Sequence, residues 1–483
     1  MTRPLLLISL LLLALDAAAS PLAFEALEPG PLPEGATRVG VYVGAPDGVG
    51  EPLLEHGADL GLNPASVTKV ATAWLALEVL GPDYRFVTRL LVAGDDLVVQ
   101  GGGDPVLLYR DVLEMAAQLR HRGRTSFRDL VLDGGLFSAG TTPPHFDDKR
   151  TDEAFRAEVG ALNVDFNRVL VRVRPGAAKG APAEVTLYPP CPDVVVESQA
   201  TTSAGKKARV VVEARPAQGR TVLRVSGRVP LSKPRGVVFS KKIYQPATIA
   251  AGLLRQALAS QGIALTGQVR VGPTPEGARR LLKHASPRLS DLVGDMLRHS
   301  TNLTAEALVR HLDPAASGKR FEAGVARLAD EVRRVTGLDE PEVHLENGSG
   351  LYDANRLSPR AVGRLLAYAL RGARAPEVLA ALALAGGEGT LQQRLGGLAF
   401  RGKTGTLDGA VTLAGLLEIE GGGRVPVVVM LEGDLGGKAD ACRAWIDALV
   451  QRIDQALRRA PSTEAPRPPA TSEGADASAP TSP

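Results

Sequence analysis

The chain has 483 residues, more than one small domain needs, and a prior of roughly 100 to 200 residues per domain implies two to four of them. Lys and Arg total 56 against 53 Asp and Glu, a formal net charge of +3, and no block of like charge marks a nucleic-acid arm or an acidic tail. Aromatic residues make up only 4 % beside 53 Gly and 35 Pro, which suits a protein rich in turns and disfavours a base-stacking platform.

The N-terminus reads as a secretory signal peptide over residues 1–19. Arg3 precedes the apolar run Leu5 to Leu15, which is shorter than the roughly 20 residues a spanning helix needs, and Ala17-x-Ala19 offers a cleavage site before Ser20. A retained N-terminal anchor is the alternative. No later segment is apolar enough to span a membrane, so export without a membrane span is expected, to the periplasm if the cell has two membranes. Only two cysteines, Cys191 and Cys442, follow, far apart in the chain, and no structural disulfide is expected.

In chain order, "TRVGVYVGAPDG" alternates like a strand that ends in a turn, and a helix beginning near Ser66 follows. Residues 86–172 then mix short strands and helices: "FVTRLLVAGDDLVVQ", the glycine turn "GGGDP", the helix "LLYRDVLEMAAQLRHRG" and the strand "DLVLDGG". Over 173–235 helical periodicity disappears. "AEVTLYP", "KKARVVVEARP" and "RTVLRVSGRVP" read as strands between Gly, Pro and Ser clusters, a small all-β insertion. The helix "PATIAAGLLRQALASQG" and the strand "GQVRVG" return the chain to the α+β pattern over 236–282. From 283 to 459 come two helices broken near "HSTN", further helices, the strands "LAFRGKTGTL", "VTLAGLLEIE" and "RVPVVVMLEG", and a closing helix. These imply an antiparallel sheet flanked by helices, an α/β (α+β) class overall. Residues 460–483, rich in Pro, Ser and Ala, read as a disordered tail.

The chemistry begins at "GLNPASVTK". Asn63 suits an N-cap and Pro64 the first helical position, which makes Ser66 the third helical residue, with Lys69 one turn later. Residues three apart on a helix are neighbours, so the amine can reach the hydroxyl, while the Ser66 N–H belongs to the first turn and is free to face an oxyanion. Val67, Val70, Ala71, Trp74 and Leu75 supply a buried face. The same Ser-x-x-Lys spacing recurs at Ser203 and Lys206, but in a glycine-containing turn between strands that would leave it solvated. Taken alone, the first pair reads equally as a catalytic pair and as the start of a core helix.

Two later motifs tip the balance. Ser300-Thr301-Asn302 falls in the break between helices, and Lys403-Thr404-Gly405 begins a strand beside a turn. Singly they read as helix capping and as an edge-strand turn. In the order Ser-x-x-Lys, Ser-x-Asn, Lys-Thr-Gly they form the set found in penicillin-binding proteins and β-lactamases.

With these motifs the chain resembles the low-molecular-mass class C (type-4) penicillin-binding proteins, the D-alanyl-D-alanine carboxypeptidases and endopeptidases. The long interval between Lys69 and Ser300 is characteristic of them, and further matches are "GGGDPVL", "LVLDGGLF", "ALNVDFNRV", "NGSGL" and "GEGTLQQRL". Thr301 and Asn347 depart from the aspartates common there. The resemblance implies a transpeptidase-like catalytic domain split over 20–85 and 283–459, with an α+β domain at 86–172 and 236–282 that carries the all-β piece at 173–235.

It further implies a serine peptidase acting on peptidoglycan stem peptides, with β-lactams as covalent inhibitors. Ser66 is the expected nucleophile and Lys69 its base, helped by the nearby Lys403 charge. Asn302 would orient Lys69, and Ser300 would relay a proton to the leaving amine. Lys403 and Thr404 would bind the terminal carboxylate, with Gly405 in the same strand, and the N–H groups of Ser66 and Thr406 would form the oxyanion hole. No metal or cofactor is expected, since the seven histidines show no ligand spacing, nor is a nucleotide site at "GGGDP". A β-lactamase or esterase on the same scaffold, or a wall-binding or penicillin-sensing protein without turnover, is the competing reading.

Overall fold

The computed structural model describes residues 27–138, 140–149, 151–351 and 353–459. The signal peptide expected over 1–19 and the tail expected over 460–483 lie outside the described residues.

Near-continuous apolar runs at the two ends of the chain form one six-stranded antiparallel sheet. Its strands are β1 (Ala36–Val43), β2 (Leu54–His56), β3 (Ala383–Leu384), β4 (Phe400–Leu407), β5 (Ala410–Glu418) and β6 (Arg424–Gly433), in the spatial order β3-β4-β5-β6-β1-β2. N- and C-terminal segments are tied together by β1 on β6, with Val39 opposite Leu431 and Val41 opposite Val429.

Strand alternation between two covered faces explains why β6 is apolar from Val425 to Leu431. Val427, Val429 and Leu431 pack with Cys442, Ile446, Leu449 and Ile453 of helix Ala439–Arg459, whereas Val428 and Met430 face the helical layer on the other side. That layer contains α1 (Thr68–Leu80), α2 (Leu289–His299), α3 (Asn302–Leu312), α4 (Phe321–Thr336) and α5 (Pro359–Arg371). In α1 every residue from Thr68 to Leu77 is buried, and Trp74 meets Tyr368 of α5 edge to face at 5.8 Å. Helix α3 is likewise buried on all sides.

Between residues 87 and 285 a second core forms. A five-stranded mixed sheet runs in the order Val269–Val271, Leu130–Asp133, Asp96–Gln100, Val87–Ala93, Arg279–Ala285. Strand Arg220–Pro230 joins Arg209–Ala217, Thr201–Ser203 and Val194–Ser198 in a four-stranded sheet. Arg168–Arg174 pairs with both Glu184–Tyr188 and Val237–Lys242 in a three-stranded one. The boundaries expected at 172/173 and 282/283 therefore fall inside strands, because long-range pairing rather than a local turn signal decides where those strands stop. Cys191 and Cys442 are free and buried in separate cores. Among the described residues no helix is long and apolar enough to cross a membrane.

The two regions meet at α3. Arg310, fully buried, donates to the carbonyls of Ser138 at 2.9 Å, Gly140 at 2.8 Å and Lys319 at 2.8 Å, with its guanidinium 4.3 Å from the Phe137 ring and 4.4 Å from that of Phe321. Five donors on a planar cation let one side chain satisfy several loop carbonyls at once.

Candidate active site

Ser66 stands in a 3-10 turn, Ala65–Val67, that runs directly into α1, so the α-helix begins two residues after Ser66 rather than two before it. The cause is local. Asn63 Oδ1 accepts from the Ala65 N–H at 2.9 Å, and Ala65 takes φ of +46°, a left-handed conformation that costs a non-glycine residue roughly 1 to 2 kcal/mol. Tertiary contacts hold that strained turn. Thr412 of β5 donates to the Pro64 carbonyl at 2.9 Å and Asn63 Nδ2 to Asp353 at 3.0 Å, and within the turn itself Thr68 donates to the Ala65 carbonyl at 2.9 Å. Strand β4 and the 347–351 loop approach closely enough to require glycine. A Cβ at Gly405 would lie 2.2 Å from Thr412 Oγ1 and 2.9 Å from Ala65 Cβ, and one at Gly350 would lie 1.8 Å from the Ala65 carbonyl oxygen.

Lys69 is fully buried, with Nζ 2.9 Å from Ser66 Oγ. Burial first, and then the positive charge of Lys403, holds its amine well below the usual lysine range; Glu306 opposes them. Lys403 is also fully buried, and burial lowers its pKa to about 7.

The ligand that orients Lys69 is not the one expected. Its Nζ donates to the Ser349 carbonyl at 2.7 Å, whereas Asn302 Nδ2 donates to the Phe155 carbonyl at 3.0 Å. Ser349 is in turn fixed by Glu306, whose buried carboxylate accepts from the Ser349 N–H at 2.8 Å, and by Thr72, which donates to the Gly348 carbonyl at 2.7 Å. Asn355 completes the loop, donating to the Asn347 carbonyl at 3.0 Å and accepting from the Glu346 N–H at 2.8 Å. Sequence reasoning missed Glu306, Ser349, Thr72 and Asn355 as parts of the site. For Glu306 a signal existed: a carboxylate one turn after Asn302, among Leu303, Ala305, Ala307 and Leu308, needs buried donors.

The expected residues divide among three faces of the site. Ser66, Lys69, Lys403 and the backbone of Gly405 converge. Ser300, at the C-terminus of α2 with φ of +58°, and Asn302, first residue of α3, line a cavity of about 520 Å³ together with Phe155, Phe166 and Met296. Thr404 and Thr406 line another of about 570 Å³ with Thr390, Arg394 and Asp447. Strand alternation puts Thr404 on the opposite face of β4 from Lys403, so a joint grip of these two side chains on one carboxylate, as expected from the motif, is not what the strand presents. β3 pairs with β4 only at Arg401 and Gly402, and among the described residues the outer edge of Lys403–Leu407 has no strand partner. The decoy Lys206 is exposed in the loop after strand Thr201–Ser203. No cluster of metal-ligating side chains occurs among the described residues.

Similarity to known proteins extends over most of the chain. It is 31 % identical over 419 residues to the D-alanyl-D-alanine carboxypeptidase of an Actinomadura species, covering 81 % of this chain and 77 % of that one. The crystal structure of penicillin-binding protein 4 (dacB) from Haemophilus influenzae, 22 % identical, superposes with a TM-score of 0.76 over 91 % of this chain and 100 % of that chain. A predatory peptidoglycan endopeptidase from Bdellovibrio bacteriovorus has the same fold at 14 % identity, with a TM-score of 0.52 over 89 % of this chain and 96 % of that one. Residues 32–456 match the D-Ala-D-Ala carboxypeptidase 3 (S13) family, and the chain belongs to this family.

Proposed function

We propose that the protein is a penicillin-binding serine D-alanyl-D-alanine carboxypeptidase that also cleaves D-Ala cross-links in peptidoglycan, with Ser66 as nucleophile. The observation that carries this reading is a 2.9 Å approach of Ser66 Oγ to a fully buried Lys69 whose amine is pushed well below its usual pKa. A serine hydroxyl is a weak nucleophile and needs an adjacent base, and a lysine serves as one only when neutral.

In the proposed cycle the stem peptide lies extended along the free edge of Lys403–Leu407, adding a strand to β4. Ser66 Oγ attacks the carbonyl of the penultimate D-Ala and its proton passes to Lys69 Nζ. The N–H groups of Ser66 and Thr406 receive the oxyanion. As the C–N bond breaks, Ser300 relays the proton from Lys69 to the leaving amine, and Asn302 holds the acyl-side amide. Lys403 attracts the terminal carboxylate, with Thr404 and Gly405 shaping the strand beneath it. Water then attacks the ester and gives its proton to Lys69, which returns it to Ser66 Oγ as the ester C–O bond breaks and the peptide leaves. Carboxypeptidase and endopeptidase action differ only in the leaving amine, free D-Ala or a cross-bridge. The β-lactam ring offers Ser66 an equivalent carbonyl, so these drugs acylate the same atom.

Export to the periplasm, supported by Arg3, the Leu5–Leu15 run and Ala17-x-Ala19, would bring the enzyme to this substrate. We further propose that the catalytic domain is split, as expected, between the segments before and after the insertion, with the boundaries expected at 172/173 and 282/283 moved to the strand ends at Arg174 and Ala285.

The test is labelling with a fluorescent penicillin alongside D-Ala release from a stem pentapeptide. Wild type should do both and Ser66→Ala neither. Equal labelling of the two proteins would sink the serine assignment, and labelling without D-Ala release would favour a sensor.

A further inference from the structure

Segment 173–235 carries eleven Lys and Arg against four Asp and Glu, a net +7 in a chain whose total is +3. Two of its four acids are committed to ion pairs. Glu184 pairs with Arg174 at 3.0 Å, and Glu197 with Arg224 at 3.1 Å and Arg215 at 3.5 Å. Glu213, opposite Arg224 in the strand register, and Asp193, against Gly252, make no ion pair with the remaining cations among the described residues. Eight cations remain, all exposed and, among the described residues, without an ion pair or a side-chain hydrogen bond; six of them, Lys206, Lys207, Arg209, Arg228, Lys233 and Arg235, lie at one corner of the insertion.

The fold gathers these six although the sequence spaces them out. Arg209 and Arg228 are directly opposite each other in adjacent strands, a like-charge placement that weakens a sheet. The Leu231 N–H donates to the Ser203 carbonyl at 2.9 Å and Ser232 Oγ to the Gly205 carbonyl at 3.4 Å, which joins the loop bearing Lys206 and Lys207 to the loop bearing Lys233 and Arg235. Two apolar side chains project among the cations: Leu231, 42 % exposed, and Val211, 52 % exposed, on the same face of its strand as Arg209.

We propose that this corner of the β insertion is a docking surface for an anionic lipid bilayer. The cations meet headgroup phosphates, and Leu231, flanked by them in its loop, enters the boundary between headgroups and acyl chains. Charge complementarity alone would also suit a soluble polyanion, but exposed leucine and valine beside the cations gain free energy only from an apolar phase. Cations held together against their own repulsion, with no acid paired to them among the described residues, keep the attraction long-ranged at low salt. The inference is independent of the catalytic reading.

Sedimentation of the exported form, from Ser20 onward, with phosphatidylcholine vesicles with and without phosphatidylglycerol tests it. Wild type is expected to bind only the vesicles containing phosphatidylglycerol and to be released by high salt. The variant Lys206→Gln, Lys207→Gln, Lys233→Gln, Arg235→Gln should bind at least about tenfold more weakly, and Leu231→Ser several-fold more weakly with the same salt dependence. Unchanged melting temperatures establish that both variants fold. Absence of binding to anionic vesicles, or equal binding by wild type and the quadruple variant, overturns the proposal. Binding to isolated peptidoglycan sacculi without binding to vesicles also overturns it and gives the surface to a wall polymer.

Discussion

Lys69 donates to the Ser349 carbonyl at 2.7 Å while its Nζ sits 2.9 Å from Ser66 Oγ, so a backbone oxygen, rather than a side chain, sets the direction of the amine. A backbone acceptor cannot rotate away. The loop that carries it is held by Glu306, Thr72 and Asn355, which makes the orientation of the base a property of α1, α3 and the 347–351 loop together.

Replacing Lys69 by Gln keeps a polar group at the Ser349 carbonyl but removes the proton acceptor for Ser66. Acylation by penicillin should fall by roughly 10² to 10⁴, the usual contribution of general-base catalysis, with little change in the thermal midpoint. Stopped-flow acylation rates check this. A variant acylated at the wild-type rate would rule out Lys69 as the base.

The pH profile should be asymmetric. Lys69 must be neutral to accept a proton, so activity falls on the acid side, at a pH well below the ordinary lysine value. Lys403 must be charged to attract the substrate carboxylate, and with its pKa lowered to about 7 the free enzyme loses that charge as pH rises through neutrality. A bound carboxylate favours the charged amine, so the alkaline limb should stand near 7 in kcat/KM and move to higher pH in kcat. Loss of that limb in Lys403→Gln would assign it, and a kcat/KM that does not decline above neutral pH would refute the assignment.

Gly405→Ala tests the close approach of β4 to the Ser66 turn. The added Cβ would meet Thr412 Oγ1 at 2.2 Å and the Pro64 carbonyl oxygen at 2.9 Å. Overpacking of this kind costs about 1 to 3 kcal/mol of stability. Because a displacement of about 1 Å at a reacting group can cost on the order of 10² in rate, acylation should suffer more than folding. Thermal melts and labelling rates measured side by side separate the two effects.

Glu306→Gln removes a buried negative charge that raises the Lys69 pKa. The acid limb of the acylation profile should shift to lower pH, and stability should drop by about 1 to 3 kcal/mol because the N–H groups of Ser349 and Gly348 lose a charged acceptor. A shift of that limb to higher pH would contradict the electrostatic account.

Much of the fold was legible because it is written in local pattern. The apolar alternation of β1, β5 and β6, the helical spacing after Ser66, the break at Ser300 and the glycines at 421–423 each determine an element without reference to the rest of the chain. The order of three short motifs, with the long interval after Lys69, likewise identifies the family from the sequence alone. Other features were decided only by contacts between distant segments. The 3-10 turn at Ala65 exists because β4, β5 and the Gly350 loop press on it; Thr404 turns away from Lys403 because strand pairing sets the face of each side chain; and the Lys69 acceptor is a backbone carbonyl that carries no residue-type signal. The cations of the β insertion follow the same logic. Arg209 and Arg228 lie far apart in sequence, and only the register of their strands makes them neighbours, because side-chain proximity across a sheet is set by pairing and not by spacing along the chain.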